Sequence, residues 1–248
     1  MFPSRTWTTT GLLTIWAASA FAQVQAQAPV LAPWAGGAAV PAPPWRTLGL
    51  PNHKAPLTAM DITALDGAAV LRLRADASYA SLVHDLNGWA PGPQATLRWR
   101  WRLDQPVAGA DLRRKDADDA ALKVCLMFDM PLARVPFVER SLLRLARAVS
   151  GEPLPAATVC YVWDATLAQG TVLPNAYSAR VRYLVLDGSA SPTGQWRGHQ
   201  RNVQADFAQL FGAESATVPA LQAVAVGADA DNTGGRSLAW IADIQLVP

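Results

Sequence analysis

The segment Leu97-Arg98-Trp99-Arg100-Trp101-Arg102-Leu103 alternates apolar and basic residues without interruption. Because successive side chains of a β-strand point to opposite faces of the sheet, the leucines and tryptophans share one face and the arginines share the other. The segment therefore predicts a half-buried strand with its tryptophans in the core. For the arginines, a solvated or ion-paired outer face is favoured over an anion-binding strip, since half-buried strands usually carry their charges outside.

Short runs of a similar kind recur from Trp45 onward, separated by turn residues. They predict strands at residues 57–65, 68–75, 79–86, 95–103, 120–129, 157–163, 179–186, 221–228 and 238–246. This near-regular spacing favours a mainly β fold, a β-sandwich or jelly roll, over a parallel α/β fold. We expect residues 45–248 to form a single β-sandwich domain.

Two short helices are predicted between the strands. The first covers residues 137–149 and carries an apolar stripe at helical spacing, formed by Val138, Leu142, Leu145 and Val149. We expect this stripe to pack on the sandwich, as in an ordinary amphipathic helix, and the alternative is a helix that faces an anionic or membrane surface. The second helix covers residues 202–211, with Asn202 as its N-cap and Gly212 as its stop.

The N-terminus has the parts of a secretion signal in residues 1–22. Arg5 supplies a positive charge, residues 11–20 are almost continuously apolar, and Ala20-Phe21-Ala22 fits the rule for cleavage after Ala22. An uncleaved anchor is the alternative, although the apolar run is too short to span a bilayer. We therefore expect a periplasmic or secreted protein with no transmembrane segment after signal cleavage. Residues 23–44 are rich in Ala and Pro and predict a flexible leader.

The sequence has two cysteines, Cys125 and Cys160, and each lies in a β-like run. In an oxidising compartment an even number of cysteines allows a disulfide, provided that the two strands are neighbours. Two small buried hydrophobic residues are the alternative, because free cysteine is often buried. Both interpretations stay open on the sequence alone.

Composition and motif searches exclude several classes of function. Hydrophobic residues make up 51% of the chain and charged residues 16%, which is too apolar for a disordered protein. The net charge of +2 comes from a near-balance of charges, so no nucleic-acid partner is expected. The sequence lacks a Gly-x-Ser-x-Gly elbow, a His-Glu-x-x-His zinc motif, a Walker loop and a Gly-x-Gly-x-x-Gly fingerprint. No catalytic residue is therefore assigned.

The first polar constellation, Lys115 with Asp118 and Asp119, precedes a predicted strand. Adjacent carboxylates repel each other unless a cation or hydrogen bonds offset them, so they suit a cation site, an acid/base pair or a ligand site. If the strand begins at these residues, Asp118 and Asp119 are not expected to reach one substrate together, because consecutive strand residues face opposite sides. A solvated loop held by local ion pairs is the alternative, and the residues alone favour it.

The second constellation, Asp229 with Asp231 and Asn232, lies near the C-terminus and is followed by two glycines. Its oxygen atoms suit a hard cation such as calcium in a tight turn. The residues do not match an EF-hand, because the glycine and the distal glutamate are out of place. A turn stabilised by Asx hydrogen bonds is at least equally favoured.

The remaining candidates combine aromatic rings with hydrogen-bonding groups. Trp163, Asn175 and Tyr177 offer the flat apolar faces and polar groups that a sugar site needs, whereas core packing is the alternative for any single tryptophan. Arg201 and Asn202 suit the binding of a ligand carboxylate. For these two residues, a helix cap with an internal salt bridge is the favoured alternative.

Six blocks of sequence together resemble the DUF3047 family of exported bacterial proteins. They are LRWRW at 97–101, KDADD at 115–119, CYVW at 160–163, NAY at 175–177, RN and DFAQLFG within 201–212, and DADNT at 229–233. The resemblance covers residues 45–248. It implies an antiparallel β-sandwich of jelly-roll type, similar in outline to carbohydrate-binding and lectin-like domains, and it implies no established activity. The polar blocks are among the residues that carry the resemblance. The resemblance therefore implies that they are more than incidental surface residues.

Three functions fit these observations. The first is an exported glycan-binding, lectin-like domain whose partner is a polysaccharide or a cell-envelope glycan. The second is a hydrolase or lyase that acts on polysaccharide through Asp118 or Asp119 with Asp231. The third is a structural or partner-binding envelope protein in which the polar blocks only fasten loops. Calcium is the one cofactor that the sequence suggests, and it fits the first two functions.

Overall fold

Trp99 and Trp101 lie between two stacked β-sheets, and both rings are buried. The structure is a computed structural model that describes residues 27–34, 40–150 and 153–248. The two ring centroids are 5.5 Å apart in an edge-to-face contact, and the inner faces of both sheets pack around them. The predicted mainly β fold, a β-sandwich of jelly-roll type, is confirmed.

The strand that carries these tryptophans belongs to a five-stranded antiparallel sheet. In spatial order its strands are β10 (Arg197–Asn202), β5 (Thr96–Gln105), β12 (Arg236–Val247), β3 (Ala68–Asp76) and β2 (Ala59–Leu65). On the outer face of this sheet, Arg100 Nε lies 2.5 Å from a carboxylate oxygen of Asp243, and Arg102 Nε lies 2.6 Å from one of Asp104. The ion-paired outer face predicted for β5 is therefore confirmed.

The second sheet has seven strands. In spatial order they are β1 (Trp45–Leu48), β4 (Tyr79–Trp89), β11 (Leu221–Asp229), β6 (Leu122–Phe128), β7 (Ala157–Trp163), β9 (Val181–Asp187) and β8 (Val172–Pro174). Among the described strands, β7 and β9 alone pair in parallel, which departs from the wholly antiparallel sandwich expected. The departure arises because the chain first forms the edge strand β8 and then returns through β9.

The sequence pattern does not predict β1, β8 and β10. All three are edge strands of three to six residues, and each pairs with one neighbour only. Apart from one glycine, β10 is composed of polar residues, so it lacks the alternation by which strands are recognised. Its place in the sheet is set by backbone pairing with β5.

Both predicted helices are present, and the second one ends as expected. Helix α1 spans Phe137–Ser150, and helix α2 spans Val203–Phe211. Asn202 caps α2, because its Oδ1 accepts a hydrogen bond of 2.8 Å from the backbone amide of Ala205. The helix ends at Gly212, whose amide donates to the carbonyl of Ala208.

The expected packing of α1 on the sandwich through its apolar stripe is wrong. Leu143, on the opposite side of the helix, is the residue that enters the core. The reason is electrostatic, because Glu139 on that side pairs with the buried guanidinium of Arg180. The residues left exposed are Val138, Leu142, Leu145 and Val149.

The predicted signal peptide, residues 1–22, lies outside the described residues. The leader at 23–44 was expected to be flexible, but its described part packs on the domain. Leu31 and Trp34 are buried in the main core, and the Trp34 ring lies 4.9 Å from that of Trp45. Two large apolar side chains are enough to anchor a segment whose overall composition is typical of a linker.

A buried carboxylate joins the two sheets through α2. Asp206 Oδ2 accepts hydrogen bonds of 2.7 Å from the Tyr161 hydroxyl and 2.9 Å from Arg201 Nε. Arg201 also donates through its terminal nitrogen to the other oxygen, so the pair is a fork. The internal salt bridge that the sequence favoured for this constellation is confirmed.

Replacing Asp206 with Asn is expected to lower the free energy of unfolding by about 2–3 kcal/mol, because Arg201 and Tyr161 lose a buried charged acceptor. Asp85→Asn is the matched control, since Asp85 forms an exposed pair with Arg46 whose loss costs less than about 1 kcal/mol. Urea unfolding followed by tryptophan fluorescence measures both variants. Equal losses in the two variants would contradict the role given to Asp206.

Candidate functional site

A pocket of about 730 Å³ lies on the outer face of the seven-stranded sheet. Residues of β4, β6, β7, β9 and β11 form its floor, and loops around residues 50–56, 154–155, 175–177 and 231–232 form its walls. Pockets of this volume are large enough to enclose most of a small ligand. The pocket therefore provides the concave surface that a binding site requires.

A disulfide between Cys125 and Cys160 lies in this floor. The two residues are direct partners across β6 and β7, with their Cα atoms 4.1 Å apart. Of the two interpretations that the sequence left open, the disulfide is the one observed. Met127 and Ala225 are further floor residues, so this part of the pocket is apolar.

A buried ion pair crosses the floor between β6 and β11. Lys123 Nζ lies 2.9 Å from Asp229 Oδ2, and the two side chains are only 9% and 6% exposed. Asp229 Oδ1 accepts a hydrogen bond of 2.8 Å from the Ala120 amide, and Nζ lies 4.7 Å from the centre of the Tyr79 ring. Burial is the largest single influence and lowers the pKa of Lys123, but the interactions with Asp229, Tyr79 and Tyr183 together outweigh it and raise the pKa above its usual value. The lysine is therefore held in its charged form.

Gly227, the cross-strand partner of Lys123 in β11, leaves the space that this lysine needs. A Cβ atom at residue 227 would lie 3.1 Å from Lys123 Cε, 3.0 Å from Ser81 Oγ and 2.9 Å from the Ala80 carbonyl oxygen. Any larger side chain would push the lysine away from Asp229. The ion pair therefore depends on a glycine at residue 227 of β11.

Asp118 stands in one wall of the pocket and is 3% exposed. Its Oδ2 accepts a hydrogen bond of 2.5 Å from Asn175 Nδ2, and the Tyr183 hydroxyl lies 3.4 Å from its Oδ1. Burial, followed by the negative charge of Asp229, raises the pKa of Asp118 to about 6. Because each carboxylate oxygen has two lone pairs, Asp118 can still accept a hydrogen bond from a ligand or, when protonated, donate one.

Asn175 holds this wall in place. Its Oδ1 accepts hydrogen bonds of 3.0 Å from the amides of Tyr177 and Ser178, and its Nδ2 also donates to the Tyr183 hydroxyl at 2.8 Å. All the polar atoms of the Asn175 side chain are therefore engaged within the protein. Asn175 thus positions Asp118 and Tyr177 in the wall of the pocket.

Tyr177 forms the exposed rim of the same wall, with 60% of the residue exposed. Its hydroxyl lies 2.6 Å from the Lys115 carbonyl oxygen and 2.8 Å from Asn232 Oδ1, so it donates to one of them. The ammonium group of Lys115 lies 5.7 Å from the centre of the ring. An aromatic ring fixed through its hydroxyl offers a face on which a sugar ring can stack.

Asp119 does not line the pocket. Strand alternation is not the reason, because β6 begins only at Leu122. Its oxygens accept hydrogen bonds from the amides of Asn232 at 3.0 Å and Thr233 at 2.8 Å, and from Thr233 Oγ1 at 2.6 Å. Asn232 Nδ2 also donates to the Asp118 carbonyl at 3.1 Å. Asp119 therefore fastens the loop after β11 to the start of β6.

Three carboxylates, those of Asp119, Asp229 and Asp231, bring one oxygen each within 4.8 Å of the others. Asp231 Oδ1 is buried without a hydrogen-bond partner among the described residues. Burial, followed by the charges of Asp229 and Asp119, raises the pKa of Asp231. A hard cation here would be held by these three residues, with Asp119 where the sequence suggested Asn232. Protonation of Asp231 is the alternative to a cation, because it too reduces the repulsion among the three carboxylates.

Besides Asp119, three of the sequence candidates lie away from the pocket. Trp163 is 2% exposed in the core, 6.0 Å from the Trp101 ring, and lines only a cavity of about 10 Å³. A cavity of that volume is too small for a sugar ring. Arg201 is engaged by Asp206, and Asn202 caps α2. The candidates that line the pocket are Asp118, Asn175, Tyr177, Asp229, Asp231 and Asn232, and Lys115 adjoins them through its contacts with Tyr177.

Sequence reasoning missed three pocket residues, Tyr79, Lys123 and Tyr183. Two of them lie on the same sheet face as the cysteines. Lys123 is two residues from Cys125 in β6, and Tyr183 of β9 is the cross-strand partner of Cys160 in β7. Residues on the cysteine face of β6 therefore share one surface. That signal could not be used, because the runs are apolar on both faces and do not reveal which face is inside.

Similarity to known proteins agrees with the resemblance found in the sequence. The sequence model of the family described as "Protein of unknown function (DUF3047)" matches residues 43–245. No match was found among the curated proteins.

Solved structures of two enzymes show weak similarity to this chain. The family 11 xylanase from Neocallimastix patriciarum is 12% identical, with a TM-score of 0.38 and coverage of 81% of this chain and 99% of that chain. Endoglucanase cel12A from Rhodothermus marinus is 12% identical, with a TM-score of 0.39 and coverage of 82% and 95%. These values are too low to carry an activity over to this chain.

The raised pKa of Asp118 gives a testable dependence of stability on pH. Because its pKa is about 6 in the folded chain, above the unfolded value, its favourable contribution is complete below the unfolded pKa. That contribution is lost as the pH rises through 6. We expect the stability of Asp118→Asn relative to the natural chain to increase by about 2 kcal/mol between pH 4 and pH 7. Urea unfolding at several pH values measures it.

Asp116→Asn is the control for this experiment. Arg114 holds the pKa of the exposed Asp116 carboxyl below its usual value, so the pH dependence has the opposite sign. Parallel curves for Asp118→Asn and the natural chain would contradict a raised pKa at Asp118.

Proposed function

This chain belongs to the DUF3047 family, and we propose that its pocket binds a polysaccharide or cell-envelope glycan. The main support for the proposal is that apolar and polar groups line different parts of the pocket. Its floor is apolar around the disulfide, whereas its wall holds carboxylate, phenol and amide groups. A sugar ring has the same division, with apolar C–H faces and hydroxyl groups at its edges.

Asp118 and Tyr177 are the residues that meet the ligand in this proposal. Asp118 accepts a hydrogen bond from a sugar hydroxyl, and a charged acceptor makes such a bond strong. Tyr177 offers its exposed ring for stacking at the rim. Both side chains are already held by bonds within the protein, so binding orders few groups and loses little conformational entropy.

Export to the periplasm or the medium is part of the same proposal. The disulfide supports it, because disulfides persist in oxidising compartments. The signal peptide expected at residues 1–22 supplies the route. The ligand would then be a glycan of the cell envelope or of the surroundings.

We expect residues 23–248 to bind at least one member of a panel of polysaccharides and cell-wall fractions. Asp118→Ala should weaken that binding about tenfold or more, since a hydrogen bond to a charged group is lost. Asp116→Ala is the matched control, because Asp116 is exposed, pairs with Arg114 and does not line the pocket. Its affinity should match that of the natural chain. Microscale thermophoresis or pull-down measures the affinities.

Two outcomes would contradict the proposal. Equal affinity in Asp118→Ala and the natural chain would place the glycan elsewhere, and no binding to any polymer would favour a structural or partner-binding envelope protein.

Repeating the assay with EDTA and with added calcium tests whether the carboxylates of Asp119, Asp229 and Asp231 bind a cation. Loss of binding in EDTA that calcium restores would assign them a cation.

A second candidate function is cleavage of the bound polysaccharide. The observation that favours it is the Asp118 pKa of about 6, which leaves a protonated carboxyl available near neutral pH. Asp231 is the partner carboxyl in this candidate, because it also lines the pocket, and it acts in its ionised form as the base. Asp119 is excluded from this role by its bonds to the loop.

Cleavage would release reducing ends or unsaturated sugars from the polymer that binds. We expect the rate to fall above pH 6, where Asp118 loses its proton, and to fall about a hundredfold or more in Asp118→Asn. Asp116→Asn should keep the full rate. A colorimetric assay for reducing ends and ultraviolet absorbance for unsaturated products measure both reactions. An unchanged rate in Asp118→Asn would contradict an acid role for Asp118.

A further inference from the structure

Helix α1 turns its apolar side to solvent. The apolar face of α1 consists of side chains that are spaced at helical intervals and are between 61% and 73% exposed, namely Phe137, Val138, Leu142, Leu145 and Val149. Single exposed apolar residues are ordinary on protein surfaces, but a contiguous set on one helix marks an interaction site. This feature is separate from the glycan pocket.

The opposite side of α1 is firmly attached to the domain, so the exposure does not come from a loosely placed helix. Glu139 pairs with Arg180, which also donates to Glu214 at 2.6 Å. Leu143 is 6% exposed in the main core, and Arg147 donates hydrogen bonds of 2.8 and 2.6 Å to a backbone carbonyl. These contacts fix the rotation of the helix and direct its apolar face outward.

The charged residues beside the apolar face of α1 are arginines. Glu139 is the only acidic residue of α1, and it is turned inward to Arg180. Arg140 and Arg144 are one turn apart and border the apolar face, and the Arg140 guanidinium lies 5.6 Å from the centre of the Phe137 ring. An apolar strip with a basic border is complementary to the surface of an anionic bilayer.

We propose that α1 attaches the domain to an anionic lipid bilayer. The apolar face enters the boundary between headgroups and acyl chains, and Arg140 and Arg144 meet the lipid phosphates. The contact is peripheral, because none of the helices in the described part of the chain has the length and apolar character to cross a bilayer. A symmetric dimer through this face is disfavoured, since it would bring the arginine borders of two copies together.

Co-sedimentation with vesicles tests this proposal. Residues 23–248 are used, because they keep every described element and omit the apolar run at 11–20, which would bind lipid by itself. We expect binding to vesicles of phosphatidylglycerol and phosphatidylethanolamine, weakened by salt, and little binding to phosphatidylcholine. The pair L142Q/L145Q should bind anionic vesicles about tenfold more weakly. The pair R140Q/R144Q should lose the dependence on salt and on lipid charge.

Two matched controls keep the test specific. V40Q/L57Q changes two exposed apolar residues outside α1, and R98Q/R236Q removes two exposed arginines of the five-stranded sheet. Both should bind like the natural chain, and all variants should keep its melting temperature. Equal binding by L142Q/L145Q and the natural chain, or no binding to any vesicle, would overturn the proposal. A dimer that L142Q/L145Q abolishes, in a chain that ignores vesicles, would assign the face to a second copy instead.

Discussion

The ion pair between Lys123 and Asp229 is the constraint on which the outer face of the seven-stranded sheet depends. Burying two charges costs free energy unless each charge has partners that replace water. Here the Ala120 amide donates to Asp229, and the Tyr79 ring lies beside the Lys123 ammonium group. Gly227 supplies the space for the lysine. These requirements fix the polar end of the pocket, and the negative charge of Asp229 contributes to the raised pKa of Asp118. The pocket is therefore a consequence of how the central strands satisfy buried charge.

Much of the fold follows from alternation in the sequence, and the strand with Trp99 and Trp101 is the clearest case. Alternation fails where a strand is apolar on both faces. In β7, Trp163 faces the core and Cys160 faces the pocket, and a strand that is buried throughout does not reveal which face is which. This is why the sequence suggests Trp163 for a ligand site although it lies in the core. Asp118 and Tyr177, which belong to polar blocks of the sequence, lie in the pocket wall.

Helix α1 shows a second limit of sequence patterns. Its spacing of apolar residues identifies a face correctly, but a pattern does not say whether that face meets the core or the surroundings. The decision depends on Arg180, which lies 41 residues from Glu139 in sequence and contacts it only in the folded chain. A long-range ion pair thus sets the orientation of a local element. The two proposals are compatible, since one uses the pocket and the other uses α1.

A crystal structure of residues 23–248 with the oligosaccharide that binds best is the decisive test of glycan binding in the pocket. We expect the sugar to lie over the disulfide between Cys125 and Cys160, with a hydroxyl hydrogen-bonded to Asp118 and a ring against Tyr177. Sugar bound to the other sheet, for example beside Trp196 and its neighbouring Arg100, would contradict it. The pocket would then be a structural feature of the fold and not its binding site.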